Sequence, residues 1–281
     1  MEEKYTSFWL YFKRNKLALF GLFLILVILF IAILAPLIAP YDPFETNIAK
    51  KFYPPSSQHL LGTDNLGRDI LSRMLYGAKI SLLVGFFAVS ISICIGIIIG
   101  SLSGFYGGIT DIILMRFVDM MLCFPTFFLI LTVVALIGPS IINIMVVIGA
   151  TSWMGTARFV RAEFLSLKER EFVQAARVLG AYDVRIIFHH ILPNALAPVI
   201  VSATLGIASA ILIEAGLSFL GFGVQPPEPS WGNILTEGRL YIFDAWWLTF
   251  FPGITILSAV LSFNLLGEGL RDALDPRLRG R

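Results

Sequence analysis

Residues 171–194 read EFVQAARVLGAYDVRIIFHHILPN, a polar stretch set between two long hydrophobic ones. Gln174, Ala175, Ala176, Arg177 and Leu179 favour helix, and Gly180 supplies a stop. A second amphipathic run, Tyr182 to His190, leads to Leu192 and Pro193, where the next apolar segment begins. A helix, a glycine turn and a second helix at a membrane face predict a docking surface for another protein.

The rest of the chain supplies the membrane. Its 281 residues are 57% hydrophobic and 14% charged, with a mean hydropathy of +0.82. A soluble domain carries about 25% charged residues. Runs such as Leu17 to Pro40 and Ser81 to Ser101 meet the length of about 20 apolar residues that a bilayer demands. The composition therefore predicts an all-α polytopic membrane protein and excludes the soluble enzyme classes. A net charge of +2, thinly dispersed, points away from nucleic acid as a partner. Cys94 and Cys123 sit in apolar runs and read as packing residues, and His59, His189 and His190 form no ligand pattern, so no metal site is expected. The first apolar run is too long for a cleavable signal and is expected to remain as a span.

Six spans are expected, at about 17–39, 79–103, 112–137, 141–160, 195–221 and 248–266. Before the second span, Thr63 or Asp64 can cap a helix whose Ile70, Leu71, Met74 and Leu75 share a face. That pattern predicts an interfacial helix lying flat ahead of the span. The chain thus divides into 1–78 (N-terminal arm, first span and external interfacial segment) and 79–281 (five spans and the docking loop at about 165–194). Gly96, Gly100 and Gly104 recur every fourth residue and predict close helix approach within the chain. Fifteen of the 21 Lys and Arg residues fall on the side of the termini and the docking loop. The positive-inside rule then places both termini and the loop in the cytoplasm.

The docking loop resembles the "EAA" loop of ABC-transporter permeases, which reads Glu-Ala-Ala, three residues, Gly, nine residues, Ile-x-Leu-Pro. Gln174-Ala175-Ala176, Gly180 and Leu192-Pro193 match that spacing, while Gln174 replaces the usual Glu and His190 the usual Ile. LGTDNLGRDILSR at 61–73, EAGLSFLGFGVQPPEPSWG at 214–232 and FNLLGEGLRDALDPR at 263–277 are similar to the "C-type" subunit of the peptide and nickel branch.

The resemblance implies a type I ABC importer transmembrane fold in a bacterial or archaeal plasma membrane. It further implies one half of a pathway for di- or oligopeptides, or nickel chelates, delivered by an extracytoplasmic substrate-binding protein. The implied partners are two ABC ATPase subunits, a second permease subunit and membrane lipid. Gln174, Ala175, Ala176, Leu179, Gly180, Leu192 and Pro193 would couple to the ATPases. No Gly-x-x-x-x-Gly-Lys-Ser/Thr occurs, so ATP and magnesium are expected on partner subunits, with no cofactor or catalytic residue in this chain.

Three features keep alternatives open. Glu214, in an apolar run, either packs against the partner permease or lines the path. Trp231, in a stiff loop with Pro226, Pro227 and Pro229, belongs either to a gate or binding-protein contact or to a plain interfacial cap. Among Asp111, Arg116 and Asp119, the last two have helical spacing and predict a structural ion pair. A secondary transporter or channel working without ATPases is the alternative function; it would call for paired repeats and ionisable residues at midmembrane. A membrane-embedded enzyme would need a constellation such as HExxH or Gly-x-Ser-x-Gly, and neither occurs.

Overall fold

A backbone in hydrocarbon must satisfy its own polar groups, which leaves coiling as the simplest solution for runs this apolar. The computed structural model describes residues 12–274, and these form helices joined by loops, with a lone β-bridge between Thr63 and Asp69. In chain order the helices are α1 (Lys16–Ile38), α2 (Ile70–Tyr106), α3 (Gly108–Leu122), α4 (Thr126–Ile137) and α5 (Ile141–Thr151). Then come α6 (Met154–Leu167), α7 (Glu171–Val178), α8 (Asp183–Phe219), α9 (Trp231–Arg239) and α10 (Trp247–Leu274). Four helices, α1, α2, α8 and α10, are each long and apolar enough to cross a membrane. Counting each of the bent pairs α3–α4 and α5–α6 as one span brings the number among the described residues to six.

The start of α1 and the end of α10 lie together. Asn15 caps α1 by accepting from the Ala18 N–H at 3.0 Å, and its amide reaches Asp272 at 3.5 Å. This termini end also holds α7 and the close of α2; the opposite end holds the loops 39–69 and 220–246 around α9.

Helix α2 is the central post, touching α1, α5, α6 and α8. Its three spaced glycines face α6. A Cβ on Gly96 would fall 2.7 Å from the Thr156 Cβ, one on Gly100 2.5 Å from the Ala157 carbonyl oxygen, and one on Gly104 2.6 Å from the Phe164 Cβ. Backbones this close gain dispersion contacts that bulkier residues forbid, the main attraction available between helices in lipid. The expected close approach is therefore made inside this chain.

Four expectations about spans change. The face of Ile70, Met74 and Leu75 is buried in protein, and these residues form the first turns of α2. They do not make a separate flat helix, because Asp69 caps the long helix there, its carboxylate accepting from the Ser72 N–H at 2.8 Å. The division at 78/79 accordingly falls within α2. The third span is broken, with 82° between α3 and α4. Pro125 stands at the break, and proline both lacks an N–H and turns the preceding residue away from helix. The fourth bends by 41° between Thr151 and Met154 and runs on to Leu167. The fifth begins at Asp183, twelve residues before the expected 195, because Tyr182 to His190 does not form a helix of its own. A π-helical turn, Ile186–Ile191, carries the chain straight into the span ahead of Pro193.

The expected Arg116–Asp119 pair is replaced by bonds between helices. Arg158 meets Asp119 at 2.5 Å, and Arg161 meets Asp111 with two bonds of 2.5 and 2.6 Å. Sequence spacing picks partners on one helix, whereas α6 lies against α3 and offers its own arginines.

Candidate functional site

Helix α7 is short and amphipathic. Val173 is buried in a cluster with Phe105, Phe164 and Ile186, Ala176 is buried as well, and Arg177 lies with its guanidinium 5.9 Å from the Phe105 ring centre. The Gln174 amide donates to the Lys168 carbonyl at 3.0 Å, tying the helix to the end of α6. Ala175 faces solvent. Gly180 ends the helix with φ of +80°, a left-handed angle that costs other residues strain. Two bonds of 3.0 Å close the turn, Gly180 N–H to the Arg177 carbonyl and Ala181 N–H to the Ala176 carbonyl. This is the Schellman arrangement, and it satisfies carbonyls the helix would otherwise leave bare.

Around that turn the surface is apolar and uncovered. Val178 and Leu179 are each 87% exposed and Tyr182 83%, with Val184 and Phe188 beside them. Tyr182, Val184, Arg185, Phe188 and His189 border a shallow depression of about 550 Å³. Leu192 packs under α7 while Pro193 stays exposed on α8. The structure thus brings Gln174, Ala175, Ala176, Leu179 and Gly180 onto one projecting knuckle, with Leu192 in its foundation. Clustered exposed apolar side chains of this kind mark sites of protein contact.

Glu214 and Trp231 are at the opposite end, and both are buried. The Glu214 Oε1 accepts from Ser218 Oγ at 2.8 Å and from Ser230 Oγ at 2.9 Å. Ser230 is the N-cap of α9, where it and Asn233 bond each other's backbone. Trp231 follows and donates its indole N–H to the Met74 carbonyl at 3.2 Å, while its backbone N–H reaches Ser81 Oγ at 3.1 Å. Glu214 therefore holds the start of α9, and Trp231 pins α9 to α2. Pro226 and Pro227 are exposed at the tip of the same loop.

Sequence reasoning missed a charged cluster beside them. Arg73, 1% exposed, grips Glu237 with two bonds of 2.6 and 2.9 Å and gives another of 2.6 Å to Asp64. Arg68 adds bonds of 2.6 Å to Asp64 and 3.1 Å to Glu237. Paired arginine–carboxylate bonds are the strongest of their kind and fix direction as well as distance. Asp64 and Arg68 are four residues apart and could have been paired on paper. Glu237 lies 164 residues beyond Arg73, and nothing local points to it. Among the described residues, no group of three His, Cys, Asp or Glu side chains is placed to hold a metal ion.

Residues 96–280 match the family model described as "Binding-protein-dependent transport system inner membrane component". The chain belongs to that family of transport permeases. Residues 5–55 of the permease match a second model, "N-terminal TM domain of oligopeptide transport permease C". It is 49% identical to the dipeptide transport system permease protein DppC of Escherichia coli K12, over 97% of this chain and 93% of that protein. It is 47% identical to the protein of the same name from Haemophilus influenzae, over 97% of this chain and 95% of that one. Among solved structures, the MetNI methionine ABC transporter in an inward-facing conformation is similar with a TM-score of 0.53 and 18% identity. The match covers 71% of the permease and 94% of that chain, a likeness of fold. The fold is therefore that of an ABC importer permease, and the chain is a multi-pass component of a membrane transport system.

Proposed function

We propose that the permease forms half of the pathway of an ATP-driven importer of dipeptides or short oligopeptides. The observation that carries this reading is the uncovered apolar knuckle around Gly180, at the spacing of the loop that couples such permeases to ATPases. Long relatives that are named for dipeptide transport support the cargo class. In this reading two ATPase subunits, which hold the ATP and magnesium, seat on the knuckle. A second, homologous permease supplies the other half of the path, and an extracytoplasmic binding protein delivers the cargo. Both termini and α7 lie in the cytoplasm.

The knuckle suits the task mechanically. Helix α7 is bonded to the end of α6 through Gln174 and passes by a closed turn into α8, which runs unbroken across the membrane. A partner that shifts α7 therefore shifts two spans as rigid bodies, the kind of motion by which a bistable ATPase alternates access. Glu214 and Trp231 serve the outer cap in this scheme and do not line the path.

Reconstitution tests the reading. Proteoliposomes with this chain, its partner permease, the ATPases and the binding protein should take up labelled dialanine only with ATP inside the ATPase-facing compartment. Uptake without ATPases would sink the scheme in favour of a channel or secondary transporter, and uptake of a nickel chelate in place of dialanine would reassign the cargo. Orientation has its own check. Cysteines at Ser57 and Gln225, both exposed, should react with an impermeant thiol reagent from outside the cell, and one at Tyr182 should not.

A further inference from the structure

Two cavities adjoin in the middle of the helix bundle. One, of about 160 Å³, is bordered by α2, α5, α6 and α8; the other, of about 640 Å³, opens toward the termini end between α6, α8 and α10. Ser202, Gly206 and Ser209 of α8 border both. These positions recur at helical spacing and share one face. Ser152, Thr156 and Glu163 form a matching stripe down the bend of α5–α6, and Ser92 faces them from α2.

At the cavities Ser209 bonds the Leu205 carbonyl at 3.1 Å, as hydroxyls elsewhere in the spans do, and the other hydroxyls there do not. Thr151, Thr204, Ser90 and Thr132 each bond the carbonyl four residues back, at 2.7, 2.9, 2.7 and 2.8 Å, the ordinary way to hide a hydroxyl in a helix. At the cavities, Thr156 and Ser202 instead meet across helices at 3.3 Å. Ser92 and Ser152 have no hydrogen-bond partner among the described residues. Ser92 is buried and Ser152 is exposed at the bend; a buried polar group without a partner in hydrocarbon costs several kcal/mol, so the Ser92 oxygen needs water or a polar guest. At the wide mouth, Glu163 and Arg271 both border the space, and neither has an ion-pair partner among the described residues.

From this juxtaposition we infer that the paired cavities are this chain's cargo-contacting surface, and that they take a short zwitterionic peptide by its main chain. The inference rests on the import reading above and assigns its path. Each hydroxyl both donates and accepts, so the stripe can meet either an amide N–H or a carbonyl and leaves the cargo's side chains unread. Glu163 and Arg271 offer a carboxylate and a guanidinium to the free ammonium and carboxylate ends near the exit. Such a surface passes many peptides and holds none tightly, as conduction requires.

The test uses the whole complex in inside-out vesicles, with Cys94→Ser and Cys123→Ser to clear the background. Ser92→Cys and Ser202→Cys should both react with a charged methanethiosulfonate reagent, and Leu257→Cys, on an exposed face of α10, should not. Dialanine at about ten times its Kd should slow the Ser202→Cys reaction about tenfold. Thr156→Val with Ser202→Ala, which removes both hydroxyls without adding bulk, should raise the KM for dialanine about tenfold while ATPase association stays normal, since two weak hydrogen bonds are lost. Silence at both cysteines would overturn the inference, because the groove would then be filled by a partner helix or lipid. Labelling without protection, in a complex that imports dialanine, would overturn the assignment of the guest and leave the import reading standing. A wild-type complex that imports no dialanine strikes the import reading itself, in an assay separate from the labelling.

Discussion

The two ends of the bundle are held by opposite means. At the α9 end, Asp64, Arg68, Arg73 and Glu237 lock the loop before α2 to α9, and Glu214 locks the cap of that same helix. Arg73, Asp64 and Glu214 have almost no exposure. At the termini end, α7 has eight residues, two of them buried, and turns Val178, Leu179 and Tyr182 outward. Buried charges held by several bonds specify one geometry and punish any loss of a partner, even though Arg73 Nε and Glu214 Oε2 are themselves left without one. An apolar knuckle left open is complete only when something covers it. The α9 end is thus clamped by buried charge, although Leu240 and Phe243 of its loop stand 72% and 99% exposed, whereas the termini end presents its apolar turn on a helix held by few buried contacts.

The contrast breaks hardest at Arg73. Arg73→Met leaves Asp64 buried with one arginine fewer and Glu237 without its two-bond partner. A cost of about 3–5 kcal/mol is expected, read as a large fall in melting temperature in detergent. An unchanged melting temperature would mean that the clamp holds nothing. Next is Glu214→Ala, which strips two buried hydroxyls of their acceptor at about 1–3 kcal/mol. Glu214→Gln keeps an acceptor oxygen and should melt and transport close to wild type; lost transport with intact melting would move Glu214 from the cap to the path.

At the knuckle, effects on stability shrink while effects on function grow. Gly180→Trp forces a left-handed angle on an indole at about 1 kcal/mol or more. Among the described residues other than its chain neighbours, nothing lies within 4 Å of a Cβ built there, so the new side chain starts into open space. The variant should melt near wild type yet lose dialanine uptake and co-purify poorly with ATPases. Normal transport would remove α7 from the coupling role. Gly180→Asn, which tolerates the same angle, should retain more activity. The smallest effect belongs to Gln174→Ala, which loses one half-exposed hydrogen bond to Lys168 worth about 0.5 kcal/mol. Uptake near the wild-type rate is expected, and a severe loss would show that the amide does more than brace the helix.

Local chemistry made much of this legible beforehand. The number of spans follows from the length and apolarity of the runs, and the end of α7 from a glycine where the backbone turns left-handed. The glycines of α2 announced a close contact, because a missing side chain has one obvious use in lipid. Each of these is a property of neighbouring residues, so the sequence by itself determined it.

Tertiary structure decided what depends on distant partners. Asp111 and Asp119 chose arginines on α6 over the nearer Arg116, since packing sets which helix stands opposite. Residues 70–78 joined a long helix because α9 waited to cover their apolar face, with Trp231 bonded to Met74. Glu237 and Arg73 are separated by 164 residues in the chain and by 2.6 Å in the fold. The hydroxyls of Ser92, Ser152 and Ser202 read singly as ordinary span residues, and only the convergence of α2, α5 and α8 turns them toward one space. Periodicity tells which face of a helix is polar; the partner that face meets is settled only when the other helices are in place.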